Sequence, residues 1–288
     1  MKILITGAGG FAGTHLSRWF RNAGHEVIGL TRATCDLRDL PALTATLRQM
    51  DPQYIIHLAS KTAPARGLAD TAEQIEANIL TTANLCLAAP SSVKLLALFG
   101  SIEEYGENEP PFSEGLPPSV ISIYGWSKIS ARALADYICK QRSIPWTWIR
   151  PSLFFGVGLP ETRFFGHVLG RCLRNETAML TPCEQTRDFY YIEDLGGALE
   201  CVLNHSAKAQ GRTWNICSGL PRQLKEVAML IQQTAGRGAL DFGAIPYRPN
   251  EVMNFYADPS AFLLQFDPPE LTPFVPALIK TVQQSLSP

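Results

Sequence analysis

Residues 2–13 read KILITGAGGFAG: a short apolar run, a cluster of small residues, then the opening of a helix-spaced segment. Glycines recur at Gly7, Gly10 and Gly13, with Phe11 and Ala12 between the last two. Small residues at such a turn let the backbone approach a pyrophosphate. The helix that follows adds unpaired N–H groups and the positive end of its dipole. The alternative G-x-G-x-x-G spacing would require glycine at position 12, where Ala12 stands. A tight strand–helix turn without a ligand has the same composition. What favours dinucleotide binding is that this turn belongs to the first strand–helix unit of an alternating chain.

That alternation runs through the first half. KILIT, EVIGL, YIIHLA, KLLALFG and WTWIR lack polar alternation, as strands covered on both faces do. Helical spacing fills 14–23, 39–50, 69–90 and about 124–142 between them. Repeated β-α-β units predict an α/β fold, a doubly wound parallel sheet with right-handed crossovers. Beyond Gly156 the texture becomes helix, loop and proline-rich segments such as FGAIPYRPNEV. The expected organisation is a dinucleotide-binding domain of residues 1–156 plus about 187–219. A smaller, discontinuous α/β substrate domain would take about 157–186 plus 220–288.

Composition narrows the partners. A chain of 288 residues with formal net charge −1 carries no electrostatic pull toward nucleic acid or an anionic membrane. Seven scattered cysteines without a C-x-x-C pair argue against metal or disulfide frameworks and for a reducing compartment. The N-terminus reaches its glycines too soon for a signal peptide, and no apolar run is long enough to span a bilayer. The expected setting is the cytoplasm.

Three further stretches carry chemistry. After EVIGL come Thr31 and Arg32, where an acid would accept the ribose hydroxyls of NAD. A guanidinium beside a small hydroxyl residue suits a 2′-phosphate, so NADP(H) is the preferred cofactor, with NAD(H) open. Asp36 and Leu37 would line the adenine side. In SIYGWSK, Tyr124 and Lys128 are four apart and share a helix face. A lysine ammonium near a phenol favours the phenolate, drawing a group of ordinary pKa about 10 toward the working range. Any helix can hold such a pair, so the spacing gains meaning only beside the glycine turn and Ser101. In LFGSIEEYGENEP, residues 98–110, an apolar run stops at Gly100 and is followed by Ser101, Glu103, Glu104 and Tyr105. It reads as an acidic turn, an acid pair or a shelf for one serine. Glu103 is the candidate acid and Glu104 is expected to be solvated.

TGAGGFAG, HLAS, GSIEEYG, YGWSK, RDFYYIEDL and RPNEV, in this order, resemble the extended short-chain dehydrogenase/reductase family, specifically its members that modify nucleotide sugars. The resemblance runs nearly end to end. It is strongest to 4-ketoreductases of 4-keto-6-deoxy and dideoxy sugar nucleotides, such as GDP-4-keto-6-deoxymannose reductases and CDP-paratose and abequose synthases. It implies a Rossmann domain and catalytic roles for Ser101, Tyr124 and Lys128, with Glu103 beside them. Ser101 would bond the sugar carbonyl, Tyr124 would protonate its oxygen, and Lys128 would hold the nicotinamide ribose. Leu58, Ala59, Ser60, Asn78 and Pro151 would line the cofactor, and Arg187 and Arg248 the nucleotide diphosphate. His57 is equally read as a cofactor contact or as a satisfied histidine at a strand end. A homodimer through helices near residues 69–87 and 127–139 is implied as well. Two departures concern the sugar: Leu153 replaces the usual asparagine, and Gly156 and Val157 replace a glycine-proline.

An NADPH-dependent reductase of a nucleotide-linked 4-ketosugar is therefore the leading expectation. A 4-epimerase or 4,6-dehydratase with bound NAD is the rival, kept open by Glu103 and opposed by Ile102 and by Arg32. A non-catalytic dinucleotide sensor would be expected to have lost Ser101, Tyr124 or Lys128, and all three are present.

Overall fold

A computed structural model describes residues 1–62 and 68–286; residues 287 and 288, the end of the expected second domain, lie outside the described residues. Five strands arise where the apolar runs predict them: β1 (Lys2–Thr6), β2 (Glu26–Leu30), β3 (Tyr54–His57), β4 (Leu95–Phe99) and β5 (Trp146–Pro151). With the strand Thr213–Ile216 they form one six-stranded sheet, all parallel. Its spatial order is Thr213–Ile216, β5, β4, β3, β1, β2. The winding reverses between β1 and β3, and a doubly wound sheet opens its ligand crevice at that point, beyond the carboxyl ends of the strands.

Side chains leave successive strand residues on opposite faces, so each strand feeds two cores. Ile3, Ile5 and Ile56 pack with Leu16 and Phe20 of helix α1 (Phe11–Asn22) and with Leu199 of the helix Leu195–Asn204. Leu4, Ile55 and Leu96 pack with Leu43 and Leu47 of helix α2 (Leu40–Met50) and Ala131 of the helix Ile123–Arg142. Each such fully buried Leu or Ile contributes roughly 1.5–3 kcal/mol. A third core joins Phe155 of the strand Leu153–Phe155 with Phe165, Leu180, Val227 and Leu278, from the helices Phe164–Leu173, Leu224–Ala235 and Phe274–Leu286 and a parallel pair, Thr177–Leu180 and Ala239–Phe242.

Helix ends follow local chemistry. The Asp39 carboxylate caps α2 by accepting the Ala42 N–H at 3.0 Å, and Ser122 caps Ile123–Arg142 through the Gly125 N–H at 3.0 Å. On the way into β2, β3, β5 and Thr213–Ile216 the chain turns through a positive φ: Gly24 (83°), Asp51 (42°), Ser143 (53°) and Gly211 (71°).

Two details depart from expectation. α1 begins at Phe11, ahead of the expected position 14, because glycines and alanine hide its first turn from a periodicity reading. The helix expected over 69–90 is broken into Thr71–Gln74, a π-helical turn Ile75–Leu80, and Thr81–Ala88.

Candidate active site

Gly7 takes φ 69°, and a Cβ there would lie 2.7 Å from the Ala59 nitrogen. A Cβ at Gly13 would fall 2.2 Å from the Gly7 carbonyl oxygen, which accepts the Gly10 N–H at 2.9 Å. The turn is therefore closed onto the segment after β3, and only glycine fits at both places. Gly10 caps α1 without any side-chain bond, so the first turn of that helix presents its N–H groups to the crevice.

Beside this turn lies a cavity of ≈ 310 Å³ at the ends of β1, β2 and β3. Thr31, Arg32, Asp36 and Leu37 line one part, Ala59 and Ser60 another. Arg32 is exposed and, among the described residues, enters no salt bridge. Arg38, which sequence reasoning passed over in a charged loop, also lines the cavity. Its guanidinium grips Asp36 at 2.6 Å, and this bond, with the Arg38 N–H, holds the Asp36 carboxyl at about 2.

Asn78 sits fully buried in the π-helical turn, a feature that recurs at functional sites. Its carbonyl oxygen accepts the Lys61 N–H (2.8 Å) and the Ser60 hydroxyl (3.0 Å), and its amide donates to Ser127 Oγ (2.8 Å). It thus ties the segment after β3, which lines the cavity, to the helix carrying Tyr124 and Lys128. His57 resolves to the structural reading. Nδ1 lies 2.7 Å from Thr6 Oγ1 and Nε2 3.1 Å from Thr82 Oγ1, while the Thr82 hydroxyl donates to the main-chain carbonyl of Asn78. Burial, with the Lys128 ammonium nearby, pushes the ring down to about 3, so it stays neutral.

β4 ends just ahead of Ser101, whose hydroxyl accepts the Glu103 N–H at 3.2 Å and lies close enough to the Tyr124 phenol to favour its ionised form. Lys128 Nζ lies 5.8 Å from the Tyr124 ring centroid and donates to the Phe99 carbonyl at 2.8 Å. Burial, rather than the lysine, dominates the phenol. Burial pushes Tyr124 up to about 12; the nearby Ser101 hydroxyl opposes that, and the Glu103 charge adds to it. Burial also brings the Lys128 ammonium down to about 8, against the pull of Glu104. Glu103 is half-buried and accepts the Ser122 hydroxyl at 3.2 Å.

Glu104 corrects another expectation. It is not solvated but fully buried, because the single 3₁₀ turn Ile102–Glu104 folds its side chain back under Ser101. Its carboxylate accepts the Ser101 N–H (2.9 Å), Trp148 Nε1 (2.9 Å) and Arg150 Nε (2.8 Å).

Other assigned residues lie apart from this group. Pro151 ends β5, and Leu153 is partly exposed just beyond it. Arg187, on the short strand Thr186–Arg187, pairs with Glu251 at 2.6 Å and covers the Phe255 ring. Arg248 is exposed in the loop leading to Asn254–Phe255. One contributor carried no sequence signal. Arg163, at the start of Phe164–Leu173, donates to the Thr62 hydroxyl, and its charge favours the Tyr124 phenolate.

Comparison with known proteins agrees with this geometry. The family model described as NAD dependent epimerase/dehydratase family matches residues 3–217. CDP-abequose synthase of Salmonella muenchen is 25% identical, covering 90% of this chain and 89% of that protein. GDP-6-deoxy-D-mannose reductase of Pseudomonas aeruginosa is 26% identical over 81% of this chain and 80% of its own. Among solved structures, UDP-glucuronic acid 4-epimerase from Bacillus cereus, in complex with UDP-glucuronic acid and NAD, superposes with a TM-score of 0.87 at 22% identity, covering 98% of each chain. With a glycine-closed turn on a doubly wound sheet, a serine–tyrosine–lysine group and a family match over most of its length, the chain belongs to the NAD dependent epimerase/dehydratase family, as an extended short-chain dehydrogenase/reductase on a Rossmann sheet.

Proposed function

We propose that this protein reduces the 4-keto group of a nucleotide-linked 4-keto-6-deoxy or dideoxy sugar with NADPH. The observation that carries the reading is Arg32, exposed at the adenosine cavity with no acid at the end of β2. A cation there favours a phosphate-bearing cofactor that exchanges at each turnover over an NAD held through a cycle. Bound NADPH would supply the hydride. The chain supplies the rest: Ser101 donates to the sugar carbonyl, and Tyr124 gives its proton to the oxygen. A phenol at about 12 arrives protonated, as a donor in the reductive direction must. Lys128 bears positive charge beside it below about pH 8. Arg187, at the edge of a cofactor domain of 1–156 plus about 187–219, and Arg248, in a smaller substrate domain of about 157–186 plus 220–288, take the diphosphate where the two meet.

A second reading, a 4-epimerase or 4,6-dehydratase with retained NAD, is favoured by Glu103, which lies close enough to Tyr124 to shift it. The two separate when the protein is incubated with NADPH and a panel of 4-keto-6-deoxy nucleotide sugars. Stoichiometric NADPH oxidation with alcohol formation supports the reductase. Product without net cofactor change supports the alternative and removes the first reading.

The Arg32→Asp variant tests the cofactor. NADPH affinity is expected to fall roughly 10- to 100-fold, as for loss of a charged hydrogen bond, with NADH affinity changing by less than about threefold. Equal losses in a fluorescence titration would remove the 2′-phosphate assignment.

The protein is further proposed to work in the cytoplasm as a homodimer. Leu87 on Thr81–Ala88 and Trp126, Leu134 and Tyr137 on Ile123–Arg142 expose apolar surface on adjoining helices, and sedimentation velocity checks it.

A further inference from the structure

A buried ion pair seldom adds net stability, because desolvating both charges offsets their attraction. The pair of Glu104 and Arg150 therefore needs another reason to lie where it does. Its surroundings are closed to any alternative arrangement. A Cβ at Gly100 would lie 2.1 Å from both Glu104 Oε1 and Trp148 Nε1, so only glycine at that position lets the carboxylate reach the Ser101 N–H. Arg150 covers the Tyr105 ring at 4.5 Å, and the Tyr105 hydroxyl donates to Asn215 Oδ1 at 2.7 Å on the sheet's edge strand. On the other side of the same peptide segment, Lys128 holds the Phe99 carbonyl. Residues 99–101 are thus gripped from two directions, by a lysine of the candidate catalytic group and by a carboxylate anchored in β5.

We infer that Glu104 is a positioning residue: with Arg150 and Trp148 it fixes the Ser101 backbone from behind, so that the serine hydroxyl meets Tyr124 and the reacting carbonyl. The inference rests on the proposed roles of Ser101 and Tyr124. It has a second consequence for Lys128. Around that ammonium lie neutral His57 from β3, Tyr124 from its own helix and the Glu104 carboxylate from the turn after β4. Glu104 is the group that favours its charged form, so removing this carboxylate moves the lysine titration to lower pH.

The test is the double variant Glu104→Leu/Arg150→Met, which removes both charges and the acceptor of the Ser101 N–H and leaves neither charge buried alone. It is expected to melt close to the parent and to bind NADPH as the parent does. Turnover of the ketosugar should fall about 10- to 100-fold, with KM within about twofold, the signature of a misplaced reacting group. In protein carrying ¹³C at lysine Cε, the Lys128 resonance, assigned by its loss in Lys128→Met, should titrate below the parent's midpoint. An unmoved titration overturns the inference, and so does an unchanged kcat. A parent that turns over no ketosugar at all defeats the reductase reading instead, and the kcat comparison is then made on the nucleotide sugar that the parent does convert.

Discussion

In Tyr124→Phe, turnover is expected to fall about 10²- to 10⁴-fold, the range for loss of a positioned proton donor. NADPH affinity should stay within about threefold, because the cavity that would hold the adenosine end lies at β1, β2 and β3, away from the phenol. The fold should also survive. Lys128 bonds the Phe99 carbonyl rather than the tyrosine oxygen, so removing that oxygen leaves no buried cation unpaired. The loss should appear in kcat and in kcat/KM alike, since the proton moves only as the carbonyl is reduced. Stopped-flow loss of reduced-nicotinamide absorbance measures it. Parent-like turnover would show that another group delivers the proton.

The second large effect is on stability. Glu104→Ala deletes the acceptor of three donors, one of them the buried Arg150 guanidinium. Breaking a buried pair by removing one partner costs about 3–5 kcal/mol. For a chain of this size that corresponds to a fall in Tm of roughly 10 °C. Its neighbour provides the control. Glu103 is half-buried and accepts one side-chain bond, from Ser122, so Glu103→Ala should cost no more than about 1 kcal/mol. Calorimetry on the two variants should separate adjacent, chemically identical residues by several degrees. Coincident melts would mean that Arg150 finds its counter-charge elsewhere.

That contrast marks where the sequence stopped being legible. Unalternating apolar runs located the sheet because strands buried on both faces leave no polar register to confuse. The glycine turn was readable because so few residues fit against Ala59 and the Gly7 carbonyl. The two glutamates were not separable by pattern, since a single 3₁₀ turn sends one toward solvent and the other inward. A signal did exist in β5. WTWIR places Trp148 and Arg150 two residues apart, hence on one face of a buried strand, and a buried arginine requires an acid. Gly100, with no room for a side chain, pointed to the same place. The π-helical turn at Asn78 had no such signal, because inserting a wider turn leaves composition unchanged. Arg38 and Arg163 were missed because surface arginines are common: Arg38 pairs with Asp36 inside its own charged loop, and the partner of Arg163, Thr62, is distant in sequence.

The left-handed turns at Gly24, Asp51, Ser143 and Gly211 all precede strands of the parallel sheet, whereas Ser101 and the cavity beside the glycine turn follow strand ends. Construction and chemistry therefore occupy opposite rims of one sheet. At Gly24 and Gly211 an added Cβ would meet nothing within 4 Å, so these turns are open to solvent, but their positive φ means a linker inserted there should keep both glycines. Asp51 and Ser143, side-chain-bearing residues in a conformation that favours glycine, are places where glycine relieves backbone strain. The molecule can be labelled or stabilised from one rim while the other is left to react.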